Sequence, residues 1–212
     1  MTVVITGTSR GIGAGLVAAY MARGADVIGT TRQGPHRLDV TDPASHAAFA
    51  HGLDGRAVDL LVCNAGVYLD KGQGLEEGFP VAQWADSFAT NVTGVFLSVQ
   101  SLLPNLRAAK AAKIAIISSQ MASSERAPGG SYIYRASKAA ALNLGRNLAS
   151  DLKVQGIAVG IYHPGWVQTD MGGSAADIGV DEAVAGLVAR FDALNMSTTG
   201  VFETWDARAH SF

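Results

Sequence analysis

Residues 1–13 read Met-Thr-Val-Val-Ile-Thr-Gly-Thr-Ser-Arg-Gly-Ile-Gly, and their order decides the fold. A short apolar β run feeds directly into a turn with glycines at 7, 11 and 13, after which Ala14 to Ala22 reads as a helix. Such glycines let the backbone turn tightly and leave room for a pyrophosphate against the amides of a helix N-terminus. Taken alone, the turn is equally consistent with a plain tight strand-to-helix connection.

Outward from this turn, apolar β runs alternate with helical stretches, the pattern of a parallel sheet covered on both faces. Strands are predicted over 3–6, 26–31, 37–40, 59–64, 113–118, 158–163 and 200–204, and helices over 13–23, 43–51, 81–109, 131–155 and 181–193. Gly24 and Gly156 suit helix C-termini that need a left-handed residue. Pro104 falls inside the long third helix and predicts a kink or an irregular last turn there. Between the second and third predicted strands lies only Arg32-Gln33-Gly34-Pro35-His36. That is too short for a parallel crossover, which takes a dozen or more residues. Either the third strand is rudimentary or the chain doubles back without a covering helix. The expected fold is α/β: one Rossmann-type domain over 1–212, a doubly wound parallel β-sheet with the helix between strands 2 and 3 missing.

Composition narrows the function classes. The chain has 212 residues, 48% of them hydrophobic and 16% charged, so much of it must be buried, inside the fold or between subunits. A net charge of −2 with no basic stripe argues against a nucleic-acid partner. No apolar run is long enough for a membrane-spanning helix. The first strand starts almost at the initiator methionine, leaving no space for a signal peptide, and Cys63 is the sole cysteine. A cytoplasmic protein is expected. The five histidines, His36, His46, His51, His163 and His210, show no metal-ligand spacing, so no metal is expected.

Further along stand Asn64-Ala65-Gly66, Asn91-Val92-Thr93-Gly94, Ser118-Ser119, Tyr134-Arg135-Ala136-Ser137-Lys138 and Pro164-Gly165-Trp166-Val167-Gln168-Thr169. With Thr6-Gly7-x-x-x-Gly11-Ile12-Gly13 these motifs resemble, in order and over nearly the whole chain, the short-chain dehydrogenase/reductase family. The C-factor-like carbonyl reductases are the most similar branch, sharing Tyr-Arg-Ala-Ser-Lys and His-Pro-Gly-Trp-Val. The resemblance implies an enzyme that transfers hydride between a nicotinamide and a carbonyl or hydroxyl carbon of a small substrate. It implies catalytic roles for Asn91, Ser119, Tyr134 and Lys138, with Asn91 anchoring a water that links Lys138 to solvent. Cofactor binding is implied for Gly7, Ser9, Arg10, Gly11, Ile12, Gly13, Thr31, Arg32, Asp39, Val40, Asn64, Ala65, Gly66, Pro164, Gly165, Val167 and Thr169, besides Tyr134 and Lys138.

The chemistry needs these residue types. Residues four apart share a helix face, so Lys138 can hold its ammonium near the Tyr134 phenol. A phenol near its ordinary pKa of about 10 is a poor base at neutral pH, and a neighbouring cation lowers that value. In reduction the same phenol donates its proton while Ser119 hydrogen-bonds the substrate oxygen. The plain alternative is a surface Tyr–Lys pair at helical spacing. Ser119 precedes Tyr134 at a longer spacing than most of the family, and Ala127-Pro128-Gly129-Gly130 supplies the extra length. Ser118 is expected to be its buried neighbour, and Ser123 and Ser124 loop residues.

An acid at the end of the second strand would bind the ribose 2′-hydroxyl and repel a 2′-phosphate. Here stand Thr30-Thr31-Arg32, with Arg10 as a second guanidinium, and arginine suits phosphate. NADP(H) is therefore favoured over NAD(H), the alternative being two solvated surface charges. Residues 171–180, which cover the substrate in this family, are short and suggest an open pocket. The apolar helices at 81–109 and 131–155 favour a homodimer, with a tetramer or monomer as alternatives. A rival reading is an NAD(P)-binding signalling or sensor protein with little turnover.

Overall fold

Val3, Val4 and Ile5 are all completely buried, since their strand lies inside the sheet with helices on both faces. The computed structural model describes residues 1–212, with Glu77 described by its backbone alone. The strands are β1 (Thr2–Thr6), β2 (Asp26–Thr30), β3 (Leu60–Cys63), β4 (Lys113–Ile117), β5 (Ala158–His163) and β6 (Phe202–Thr204). They form one parallel sheet in the order β2-β1-β3-β4-β5-β6. The helices are α1 (Gly11–Ala22), α2 (Pro43–Gly52), α3 (Val81–Phe88), α4 (Gly94–Arg107), α5 (Tyr132–Lys153) and α6 (Val180–Ala193).

Alternation along the strands divides the core in two. Val3, Ile5, Leu60 and Val62 join Leu16 and Tyr20 of α1 and Leu187 and Phe191 of α6 on one face. Val4 and Leu61 join Phe49 of α2, Val99 and Leu102 of α4 and Leu152 of α5 on the other. Gly24 and Gly156 do take positive φ behind α1 and α5. Among the described residues, no helix is long and apolar enough to cross a membrane.

Two sequence expectations need correction. The predicted strand 37–40 is not a strand. Thr31 and Arg37 form a single parallel bridge, and Leu38 and Val40 then drop into the core beside Ile28 and Phe49. The helix and the strand after β2 are therefore both missing, β2 is the sheet edge, and α2 carries the chain across to β3. The predicted helix 81–109 is not one regular helix either. Ala89–Thr93 forms a π-helical segment between α3 and α4. Pro104 lies within α4, one turn before its end.

Candidate active site

β1 and β3 are neighbours, so their C-terminal ends bring the glycine turn and Asn64-Ala65-Gly66 together. Thr6 Oγ1 accepts from the amides of Asn64 and Ala65, both at 3.1 Å. Asn64 Nδ2 donates back to the carbonyls of Thr6 and Gly7, at 3.0 and 2.9 Å. The turn is drawn in so tightly that a Cβ on Gly7 would stand 2.8 Å from Ala65 Cα, and one on Gly13 2.3 Å from the Gly7 oxygen. The helix N-terminus beyond is left bare. Arg10 is the N-cap residue of α1 with no side-chain capping bond, and the first turn carries no acid. Its amides and the positive end of its dipole suit an anion, as the pyrophosphate of a dinucleotide requires. Ser9 is exposed, while Ile12 packs against the α1–α6 core. Pro164 and Gly165 follow β5, and the loop they open returns to this turn. Thr169 Cγ2 lies 3.2 Å from where a Gly11 Cβ would be, and Val167 is buried and bridged to Ile178.

The residues expected at the adenosine end lie at the bare edge of the sheet. Thr31, Arg32 and Arg37 occupy the turn behind β2, and Arg32 and Arg37 are exposed. Asp39 is held below the usual carboxylate range by hydrogen bonds from the Thr41 amide and hydroxyl, helped by the charges of Arg32 and Arg37. The Val40 carbonyl contacts His46 Nε2 at 3.0 Å. Arg37 is a second cation at this end that the sequence reading passed over. Arg10 instead pairs with Asp170 at 3.1 Å. Exposed pairs of this kind contribute only about 0–1 kcal/mol, so a phosphate can compete for the guanidinium.

Tyr134 and Lys138 lie one turn apart on the inner face of α5, and both are buried. Lys138 Nζ donates to the Ile117 carbonyl at 2.9 Å and sits 5.7 Å from the Tyr134 ring centre. Ser119, just past β4, is buried, and its Oγ accepts from the Met121 amide at 3.1 Å. Ser118 is the buried neighbour, with its hydroxyl on the Lys138 carbonyl at 3.1 Å. Asn91 sits in the π-helical segment, a feature often found at functional sites. Its carboxamide accepts from the Val67 amide at 2.8 Å and donates to the Val67 carbonyl and Ser137 Oγ, both at 2.9 Å. Asn91 and Lys138 meet around Gly66, where a Cβ would stand 3.2 Å from Asn91 Oδ1 and 3.4 Å from Lys138 Nζ.

Burial governs the protonation states. It pushes the Tyr134 phenol up to about 12, against a hydrogen bond with Ser119 that favours the phenolate, while Tyr68 and Asp70 add to the rise. It lowers Lys138 to about 8. At neutral pH this tyrosine is a protonated group ready to donate.

Three residues around Tyr134 went unread in the sequence. Ser131 precedes α5 with φ of 49° and makes no capping bond. The fully buried Asp70 caps the helix instead, accepting from the amides of Ile133 at 2.8 Å and Tyr134 at 3.2 Å. Tyr68 stacks on Tyr134 with ring centres 4.1 Å apart, and its hydroxyl meets Ser131 Oγ. Lys71 Nζ donates to the carbonyls of Met171 and Gly172, at 2.9 and 3.3 Å. The short 171–180 stretch is therefore tied to the loop after β3, rather than leaving the pocket simply open. Trp166 is half exposed, with its indole N–H on the Gly172 carbonyl at 3.0 Å.

Comparison with known proteins agrees with this geometry. Residues 1–177 match the family model described as short chain dehydrogenase. The chain is 36% identical over 159 residues to C-signal of Myxococcus xanthus, covering 73% of this chain and 93% of that protein. The NADPH-bound carbonyl reductase from chicken fatty liver superposes with a TM-score of 0.91 at 29% identity, over 100% of this chain and 98% of that one. A short-chain dehydrogenase/reductase from Burkholderia multivorans with bound NADP gives a TM-score of 0.89 at 30% identity, over 100% and 99%. With the glycine turn, Asn64, Asn91, Ser119, Tyr134 and Lys138 all gathered at one end of a parallel sheet, this chain belongs to the short-chain dehydrogenase/reductase family of oxidoreductases.

Proposed function

We propose that the protein is an NADP(H)-dependent carbonyl reductase or alcohol dehydrogenase with Tyr134 as its general acid/base. The observation that carries this reading is the buried Tyr134 phenol, held protonated beside Ser119, on the same helix face as Lys138. The nicotinamide supplies hydride when the cofactor is bound. The chain's own residues do the rest. The bare N-terminus of α1 and the turn at Gly7, Gly11 and Gly13 receive the pyrophosphate, and Asn64 keeps that turn closed. Ser119 hydrogen-bonds the substrate oxygen, and Tyr134 hands it a proton as negative charge develops there. Lys138 supplies positive charge behind the phenol and helps it give up that proton. Asn91 fixes the backbone at Val67 and the start of α5 through Ser137, keeping the wall behind Lys138 in place.

NADP(H) is preferred to NAD(H) because the end of β2 carries Arg32, with Arg37 beside it, where an acid would reject the 2′-phosphate. The NADPH and NADP bound in the two solved relatives support this choice. The protein works in the cytoplasm as a homodimer joined through the outer faces of α4 and α5, where Phe96, Asn143 and Asn147 are exposed.

A second reading, a nucleotide-binding signalling protein with little turnover, draws support from the similarity to C-signal. The complete set of Asn91, Ser119, Tyr134 and Lys138 weighs against it, since a sensor has no use for the tyrosine. A screen of NADPH oxidation over aldehydes, ketones and quinones separates the two. Turnover of any carbonyl supports the reductase; tight NADPH binding with no turnover of any of them supports the sensor.

A further inference from the structure

Beyond Ser119, the C-terminal ends of β4, β5 and β6 and the tail after β6 border an open cavity of about 350 Å³. Gln120, Arg126, His163, Thr204, Arg208 and His210 line it, and none of these has a part in the reaction described above. His163 is only 8% exposed, and its buried Nδ1 has no hydrogen-bond partner among the described residues. The buried Nε2 of His210 is in the same condition. The two rings stand nearly perpendicular, with centres 6.2 Å apart. Buried polar atoms are as a rule satisfied, and two orphaned ring nitrogens on side chains that line one cavity mark a place that a polar group can complete.

Charge says which kind. Arg126 Nη1 donates to the neutral Gln120 Oε1 at 2.9 Å and makes no ion pair among the described residues. Arg208 pairs with Asp206 at 2.8 Å, the one acid whose charge is felt at His163. Around His163, then, positive charges outnumber negative ones. The same field is felt at His163, whose imidazole is held down to about 4, first by burial and then by His210, Arg126 and Arg208. A guanidinium fork and imidazole nitrogens together fit a planar or tetrahedral oxyanion.

Position connects the cavity to the reaction. Gln120 directly follows Ser119, and His163 directly precedes Pro164-Gly165. We propose that this cavity is a subsite for an acidic oxygen group, a carboxylate or a phosphate monoester, carried by the carbonyl substrate. The substrate class is then a carbonyl compound with an acid group, bound so that its carbonyl lies at Ser119 and Tyr134. The proposal rests on the reductase reading, and its test separates the two.

The test compares matched substrates with NADPH: 4-carboxybenzaldehyde against its methyl ester, and glyceraldehyde 3-phosphate against glyceraldehyde. The wild type and the double variant Arg126→Gln, Arg208→Gln are compared, both side chains being exposed enough for the change to leave the fold intact. The expected result is a kcat/KM at least tenfold higher for one acidic member than for its neutral partner. The pair that shows it identifies carboxylate or phosphate. The double variant loses this preference and keeps its rate on the neutral partner. Calorimetric titration with benzoate and with inorganic phosphate gives a readout independent of turnover, with binding expected in the wild type and lost in the double variant. If neither aldehyde pair is turned over, the titration alone decides the subsite, and the reductase reading is decided by the wider carbonyl screen. An acid preference unchanged in the double variant, no acid preference in the wild type, or a wild type that binds neither anion overturns the proposal.

Discussion

Replacing Lys138 with methionine should make the protein more stable at neutral pH while abolishing turnover. Burial lowers the ammonium from 10.5 to about 8. Each pKa unit is worth about 1.4 kcal/mol, so keeping the charge costs the folded state about 3 kcal/mol below that value. Methionine carries no charge but gives up the charge-assisted bond to the Ile117 carbonyl, worth about 2 kcal/mol. The net gain near neutral pH is then about 1 kcal/mol, or roughly 2–4 °C in Tm for a chain of this size. The sign of the pH dependence follows from the direction of the shift. A lowered lysine contributes stability above its unfolded pKa of 10.5 and loses it as pH falls to about 8, so wild-type stability climbs with pH across that window. The variant has no proton to release there, and its advantage shrinks by about 3 kcal/mol between the two ends. Urea unfolding of the nucleotide-free proteins across this range measures the difference, in which the titrations common to both cancel. Parallel stability curves would refute the reasoning, because they would show that the buried ammonium carries no desolvation penalty.

Asp70→Ala removes the cap of the catalytic helix and leaves two buried amides unpaired, a loss of about 2–4 kcal/mol that thermal unfolding will show as a lower Tm, with Asp70→Asn recovering part of it. Removing Arg32 should raise the dissociation constant for NADPH roughly tenfold or more and leave that for NADH nearly unchanged, as judged by fluorescence titration. Equal effects on the two would make Arg32 a plain surface charge. Light scattering at micromolar concentration should give twice the 21.9 kDa chain mass, and a mass that stays at one chain on concentrating would rule out the dimer.

Most of the fold was legible because period-2 and helical patterns differ sharply where both sheet faces are covered. The failures came where local pattern does not decide. Leu38 and Val40 alternate like a strand, yet the same two side chains can plug the core from the loop that leads into α2. The π-helical segment at Asn91 has no signature in apolar spacing, since it alters the register by a single residue within one helical stretch. At the site, the glycine turn, Asn64, Asn91, Tyr134 and Lys138 stood out because each belongs to a short motif with fixed spacing, and Ser119 because it follows an apolar strand. Asp70 was not, since its partners lie more than 60 residues away and nothing local marks a carboxylate as the cap of a distant helix. Arg37 was hidden in the same way, being taken for the start of a strand, and Arg10 gave no sign of its pairing with Asp170.

The central claim, that the Tyr134 hydroxyl passes the proton, is tested most directly by Tyr134→Phe, assayed for both carbonyl-dependent NADPH oxidation and NADPH binding. The account predicts a fall in turnover of roughly a hundredfold or more with cofactor affinity nearly unchanged, because the change removes one proton and little volume. A variant that keeps substantial activity at unchanged affinity would contradict it.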